Sequence, residues 1–126
     1  MSVTRRFYPL RLMQPVNLNV NVQANGDGAR SVAKLDGKLV LETVTRFLQE
    51  MRPQPAPSLV LDMSGVAFLD SAGVGALVQL FVHRRNQGQK FALAALNQQG
   101  MAVMQVSGLL KLMPVFASVR EAETAN

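Results

Sequence analysis

The chain has 126 residues, 48% of them hydrophobic and 17% charged, which suits one folded domain with one core and excludes a disordered composition. It has no cysteine and a single histidine, His83, so disulfides, thiolate nucleophiles and the usual His/Cys zinc sites are excluded. The net charge is +5, but the basic residues are scattered in runs of no more than two and aromatics are only 6%, which lacks the clustered footprint of a nucleic-acid binder.

Residues 1–15 carry arginines but no sustained apolar segment of the kind that exports a protein, so no signal peptide is expected. They are expected to form an N-terminal arm or an extra strand, with the domain proper at 16–126. Residues 16–22 (VNLNVNV) alternate strictly and predict a half-buried strand. Asn25-Gly26-Asp27-Gly28 is a turn, and residues 31–35 are the second arm of a hairpin, ended or bent at Asp36-Gly37. Residues 41–51 place Leu41, Val44, Phe47, Leu48 and Met51 at helical spacing. The segment 52–57 (RPQPAP) stops that helix and reads as a stiff connector.

The next stretch organises the chain. Leu59-Val60-Leu61 predicts a buried strand, Asp62 to Gly65 a short turn, and Val66 to Leu69 a second apolar run leading into Asp70. After Asp70 the spacing becomes helical, with Val74, Leu77, Val78, Phe81 and Val82 expected on the buried face. Asp70 stands at the N-cap and Ser71 is the first helical residue, a hydroxyl at the positive end of a helix. Gly88 is the expected C′ residue. Residues 90–96 predict a strand and 98–106 a short helix that Gly108 breaks. Residues 112–116 predict a proline-marked edge strand and 118–124 a last helical turn. Met101, Met104 and Met113 are expected as core filler. The longest apolar run, 72–82, is interrupted by Gln79 and falls short of the ~20 residues of a spanning helix. A hairpin followed by alternating helices and strands implies an α/β fold, a small mixed β-sheet flanked by about four helices.

Leu61-Asp-Met-Ser-Gly-Val-Ala-Phe-Leu-Asp-Ser-Ala-Gly-Val-Gly75 resembles the signature of STAS domains, and especially of bacterial anti-sigma factor antagonists. Weaker echoes are Leu35-Asp-Gly-Lys-Leu39 and Val106-Ser-Gly-Leu109. The resemblance implies a STAS-like fold and Ser71 as phosphoacceptor for a partner anti-sigma factor that is an ATP-dependent serine kinase. A phosphatase would reverse the modification, and ATP would belong to the kinase, so no cofactor is expected on this chain. It further implies a partner-binding surface at Asp70, Ser71, Ala72, Gly73 and Gly75, and a cytoplasmic protein with no direct nucleic-acid contact and no membrane span. Val40 stands where the family often has an acid, Ala72 replaces a frequent serine, and the chain is basic where many antagonists are acidic. The rival within the same fold is a stand-alone STAS subunit of a larger signalling or lipid-transport assembly, without a phosphoswitch.

Enzymatic readings fare poorly. A hydrolase elbow needs glycine two residues before and after the serine; Gly73 meets one side and Leu69 fails the other. His83 lies about 18 Å from Ser71 along the same predicted helix, too far to be its base. Gly73-Val-Gly75 lacks the third glycine of a dinucleotide loop, since Val78 stands there. No catalytic or metal-ligating residue is therefore assigned, and His83 is expected as a solvated helix residue.

Overall fold

A computed structural model describes residues 16–125. The proposed arm at 1–15 lies outside the described residues. Five strands form one sheet in the order β1 (Leu18–Ala24), β2 (Arg30–Leu39), β3 (Ser58–Leu69), β4 (Lys90–Ala94) and β5 (Val115–Phe116). The first pair is an antiparallel hairpin and the other three pairs are parallel. Among the described residues four α-helices connect or follow them: α1 (Val44–Met51), α2 (Ser71–Asn86), α3 (Gln98–Val106) and α4 (Val119–Ala125). This is the small mixed sheet with about four helices that the sequence implies.

The helices divide unequally over the sheet. One face carries Ala33, Leu35, Leu59, Leu61, Phe91 and Leu93, which pack with Phe47, Leu48 and Met51 of α1, Leu77 and Leu80 of α2, and Met104 of α3. Among the described residues the other face is covered by α4, through Ala122 on Val60, Ala92 and Ala94. A central strand covered on both faces needs apolar residues on both, which is why Leu59, Val60 and Leu61 run without alternation.

Several boundaries differ from the sequence reading. The first strand begins at Leu18 and reaches Ala24, two residues later than the alternation predicts. The hairpin partner passes through Asp36-Gly37, bent there by a register shift, with Gly37 at φ 128°, where a side chain would be strained. Helix α1 starts at Val44; Leu41 lies in a preceding turn and is 70% exposed. The turn expected at Asp62 to Gly65 is absent. β3 runs unbroken for 12 residues, and the polar segment is a bulge: Lys34 pairs with Asp62 but Asp36 with Gly65, so β3 gains one residue. A second such shift between Gly37 and Lys38 makes the buried positions fall at Met63, Val66 and Leu69. The fourth strand ends at Ala94, and only Val115 and Phe116 of the expected last strand pair, at the sheet edge. Met104 and Met113 are core; Met101 is 38% exposed and is not.

Helix α2 also turns a different face inward. Gly73, Ala76, Leu77, Leu80 and Arg84 are buried, Val74, Val78 and Phe81 only half-buried at the margin, and Val82 exposed. Arg84, one of the scattered basic residues, has no solvent exposure. Its Nε donates to the Lys90 carbonyl (2.9 Å), Nη1 to that of Gln54 (3.2 Å) and Nη2 to that of Ala56 (2.7 Å). Burial away from any carboxylate pulls its pKa down to about 10, so it is still charged at neutral pH. One side chain thereby ties the end of α2 to the proline connector and to the start of β4. The helix then stops in a Schellman motif: Gly88 N–H donates to Arg85 O and Gln89 N–H to Arg84 O, with Gly88 left-handed as expected.

Candidate functional site

The chain leaves β3 at Leu69 and enters α2 at Ser71 within one residue, and Asp70 makes that corner. Its backbone is extended, and its Oδ1 accepts from Gly73 N–H at 2.8 Å, the N-cap bond expected from sequence. Its Oδ2 accepts from Leu41 N–H at 3.1 Å. One carboxylate therefore holds both the helix start and the loop that follows β2, a link between segments 29 residues apart that no local pattern announces.

Gly73 explains why that corner is tight. It is buried, and a Cβ there would overlap the Leu39 carbonyl oxygen and lie 2.7 Å from Leu69 Cδ1. The first turn of α2 thus rests directly on the backbone at the end of β2. Gly75 is different: nothing lies within 4 Å of its missing Cβ, so the close-packing explanation holds for Gly73 and fails for Gly75. Gly73→Ala is expected to destabilise the domain by about 1–3 kcal/mol through overpacking. Gly75→Ala should stabilise it by up to about 1 kcal/mol through helix propensity. Urea denaturation of both variants checks this; equal effects would refute the contact at Gly73.

Ser71 is exposed at the first helical position, and Ala72 beside it is half-buried. The N–H groups of the first helical turn have no acceptor inside the helix, which makes the hydroxyl's surroundings electropositive. Ser71 also stands on the rim of an apolar groove of about 370 Å³, formed with Val74 of α2 and Ala102, Val103, Val106 and Ser107 of α3. Val106 is 89% exposed.

Two amides that the sequence reading passed over set the width of this groove. β4 ends at Ala94, so the last residues of β3 have no strand beside them on that edge. Gln99 takes the strand's place: its Oε1 accepts from Leu69 N–H (3.0 Å) and its Nε2 donates to Leu69 O (2.8 Å). Asn97 caps α3 through Gly100 N–H (2.7 Å) while its Nδ2 donates to Val66 O (3.1 Å) and Ala67 O (3.2 Å). Helix α3 is thus moored to the strand that delivers Ser71. The N-cap spacing of Asn97 was visible in the sequence; the reach of both amides across 30 residues was not.

The surroundings of the serine are short of charge. Helix α3 contains no Asp, Glu, Lys or Arg, nor does the segment from Met63 to Leu69. Leu41, Phe68, Met101 and Val106 all remain exposed, at 70, 45, 38 and 89%. Lys38, paired with Phe68 across the β2–β3 ladder, is an exposed cation on this surface, and other basic residues lie at the far end of α2, where His83 is half-buried with Nε2 3.2 Å from Arg52 O. His83 is therefore engaged with the α1 end, not freely solvated, and about 18 Å of helix separates it from Ser71. Among the described residues no group of three His, Asp or Glu is placed to hold a metal ion, and no helix is long and apolar enough to cross a membrane.

The family model of the STAS domain matches residues 20–122. The chain belongs to the STAS domain family. This STAS domain is 21% identical over 103 residues to the anti-sigma F factor antagonist of Paenibacillus polymyxa, covering 79% of the chain and 88% of that protein. Among solved structures, an anti-sigma factor antagonist from Mycobacterium paratuberculosis superimposes with a TM-score of 0.79 at 23% identity, over 89% of this chain and 96% of that one. The phosphorylated form of the Bacillus cell fate determinant SpoIIAA gives 0.60 at 19% identity, over 85% and 98% of the two chains. The murine anion transporter Slc26a9 gives 0.70 at 19% identity, over 99% of this chain and 24% of the transporter. At such identities the structural likenesses establish the fold, and the fold serves both antagonists and a transporter.

Proposed function

We propose that this STAS domain is an anti-sigma factor antagonist: it binds an anti-sigma factor, which thereby releases its sigma factor, and phosphorylation of Ser71 ends that binding. The observation that carries the reading is Ser71 itself, exposed at a capped helix start on the rim of an uncharged apolar groove. The named relatives support it, as antagonists and, for SpoIIAA, as a protein with a phosphorylated form. The partner supplies ATP and transfers its γ-phosphoryl group to Ser71 Oγ; the seryl proton is lost and ADP leaves. This chain contributes the acceptor and a surface, and no catalytic group. A phosphate on Ser71 adds about two negative charges. They are tolerated in the free domain, because they sit at the positive end of α2. They are not tolerated under a partner that has covered the groove, where they must be desolvated beside Asp70. The phosphate therefore acts on the interface and leaves the fold intact; a phosphatase restores binding.

Incubation with the kinase-like anti-sigma factor of the same genome neighbourhood and ATP, followed by mass spectrometry, tests the assignment. Phosphate on Ser71 alone is expected; phosphate elsewhere, or none, would sink it. The groove has a separate test. Val106→Asp should leave stability within about 0.5 kcal/mol, as for an exposed site, yet weaken partner binding measurably in a titration. Unchanged affinity would remove the groove from the interface.

The alternative, a STAS subunit of a larger assembly, is favoured by the Slc26a9 likeness and by the same uncharged groove. It predicts stable co-purification with a membrane complex and no dependence of that association on Ser71 phosphorylation.

A further inference from the structure

Among the described residues the sheet ends in β5 on one side and β1 on the other. The first edge is blunted, because β5 is only two residues long. The second is not. β1 has seven residues (LNVNVQA), with no charge, no proline and no bulge against β2, so it lacks the usual guards of an exposed edge. Lys38 N–H donates to Asn17 O (3.2 Å) and Asn25 N–H to Arg30 O (2.9 Å), which fixes the phase of the hairpin. Odd-numbered residues of β1 bond to β2, and the backbone groups of Leu18, Val20 and Val22 point out of the sheet edge.

A groove of about 290 Å³ follows the same edge. Val16, Leu18 and Val20 line one side of it; Glu42, Arg46 and Glu50, on or just before α1, line the other. Val16 is exposed, and Val20 and Val22 are half-buried. The volume is the share of about ten waters at ~30 Å³ each, room for about two or three apolar side chains. Arg46 pairs with Glu50 at 3.2 Å, while Glu42 makes no salt bridge among the described residues, so the groove is acidic on balance.

Residues 1–15 lead directly into this groove, since Val16, the first described residue, lines it. They contain Arg5, Arg6 and Arg11 and no acid. Within the stretch 7–13 (FYPLRLM), Tyr8, Leu10 and Leu12 alternate as a strand's apolar face does. With residues 13–15 as a three-residue hairpin loop, Leu12 falls opposite Val16, Leu10 opposite Leu18 and Tyr8 opposite Val20. Opposed residues share a face, so these three side chains meet the groove. Arg11 falls opposite Asn17, on the polar face. Pro9 falls opposite Asn19, which bonds to β2, so no inward N–H is needed where proline has none. A slip of one residue would set Arg11 against Leu18 and demand that missing N–H opposite Val20.

We propose that residues 6–12 add to β1 as an antiparallel sixth strand and seat Tyr8, Leu10 and Leu12 in the groove against α1. The tether at Val16 gives this segment a high effective concentration at the edge. A second copy of the chain would instead bring another Glu42 and Glu50 to it. The proposal does not rest on the role of Ser71.

Amide hydrogen exchange of the full chain, read residue by residue by NMR, tests the proposal. The outward amides of Leu18, Val20 and Val22 should be protected. Leu10→Asp sets a further acid beside Glu42 and Glu50, and should speed exchange at those three amides by at least about tenfold. Asn19 and Asn21, bonded to β2, should exchange as in the parent, which separates release of the strand from loss of the fold. The chain has no cysteine, so engineered pairs read the register independently. Arg11→Cys with Asn17→Cys should oxidise within one chain, since Cα atoms so opposed lie about 4.5 Å apart. Leu12→Cys with Asn17→Cys, on opposite faces, should oxidise far more slowly. Free exchange of the outward amides in the parent, or equal oxidation of the two pairs, would overturn the proposal. So would protection that is lost on dilution together with a dimer seen by light scattering, because a second copy would then hold the edge.

Discussion

Replacing Arg84 with methionine is expected to cost about 3–5 kcal/mol, the loss of three charge-assisted hydrogen bonds at about 1.5–3 kcal/mol each, less the desolvation cost that the guanidinium no longer incurs. The substitution keeps the apolar stem but strips the donors from three carbonyls, those of Gln54, Ala56 and Lys90. Each buried acceptor left unpaired costs about 1–3 kcal/mol, less where water can enter. Since a domain of this size is stable by about 5–15 kcal/mol in all, the variant should be close to unfolding at 37 °C. Arg84→Lys should recover only part of the loss, because an ammonium cannot reproduce the fork that reaches three oxygens. The neighbouring Arg85 is exposed, so Arg85→Met should change stability by no more than about 0.5 kcal/mol. Urea titrations with an unchanged m-value measure all three. Equal midpoints for the Arg84 and Arg85 methionine variants would show that the buried hydrogen bonds do not hold the connector.

Substitution of Ser71 by aspartate should separate folding from binding. An acid in the first turn of a helix is favoured by about 0.3–1 kcal/mol, so the variant should be at least as stable as the parent. Its affinity for the proposed anti-sigma factor should nevertheless fall by the cost of an unpaired interfacial charge, about 2–5 kcal/mol, or roughly 30-fold at least. Ser71→Ala should also fold, since Asp70 and not Ser71 caps α2, and should bind like the unmodified protein while resisting phosphorylation. Titration of both variants against the proposed kinase partner reads the difference. Equal affinities would mean that charge at this position does not govern the complex.

Much of this was legible in the chain, and for a common reason: the signals were local. The Asn25 to Gly28 turn, the Asp70 cap, the Gly88 stop and the extent of α3 each depend on residues within one or two turns of one another. So did the place of Ser71 at the head of a helix, the part of the candidate site on which the functional reading rests. The pattern around it also marked the family.

The tertiary structure decided the rest. Helix α2 has apolar residues around much of its circumference, so periodicity could not select between the face of Leu77 and Leu80 and that of Val78 and Val82. Gly73 made the selection, because only a residue without a side chain can sit on the Leu39 carbonyl. With the helix so seated, Arg84 is carried inward to where three carbonyls await a donor. The polar Asp62 to Gly65 segment stayed in β3 because the neighbouring strand continues beside it and a bulge absorbs the mismatch. The groove beside Ser71 exists because Gln99 and Asn97 replace a missing strand partner at residues about 30 positions away. Each of these choices is made by backbone groups that must be paired once buried, and which partner is available depends on segments that only folding brings together.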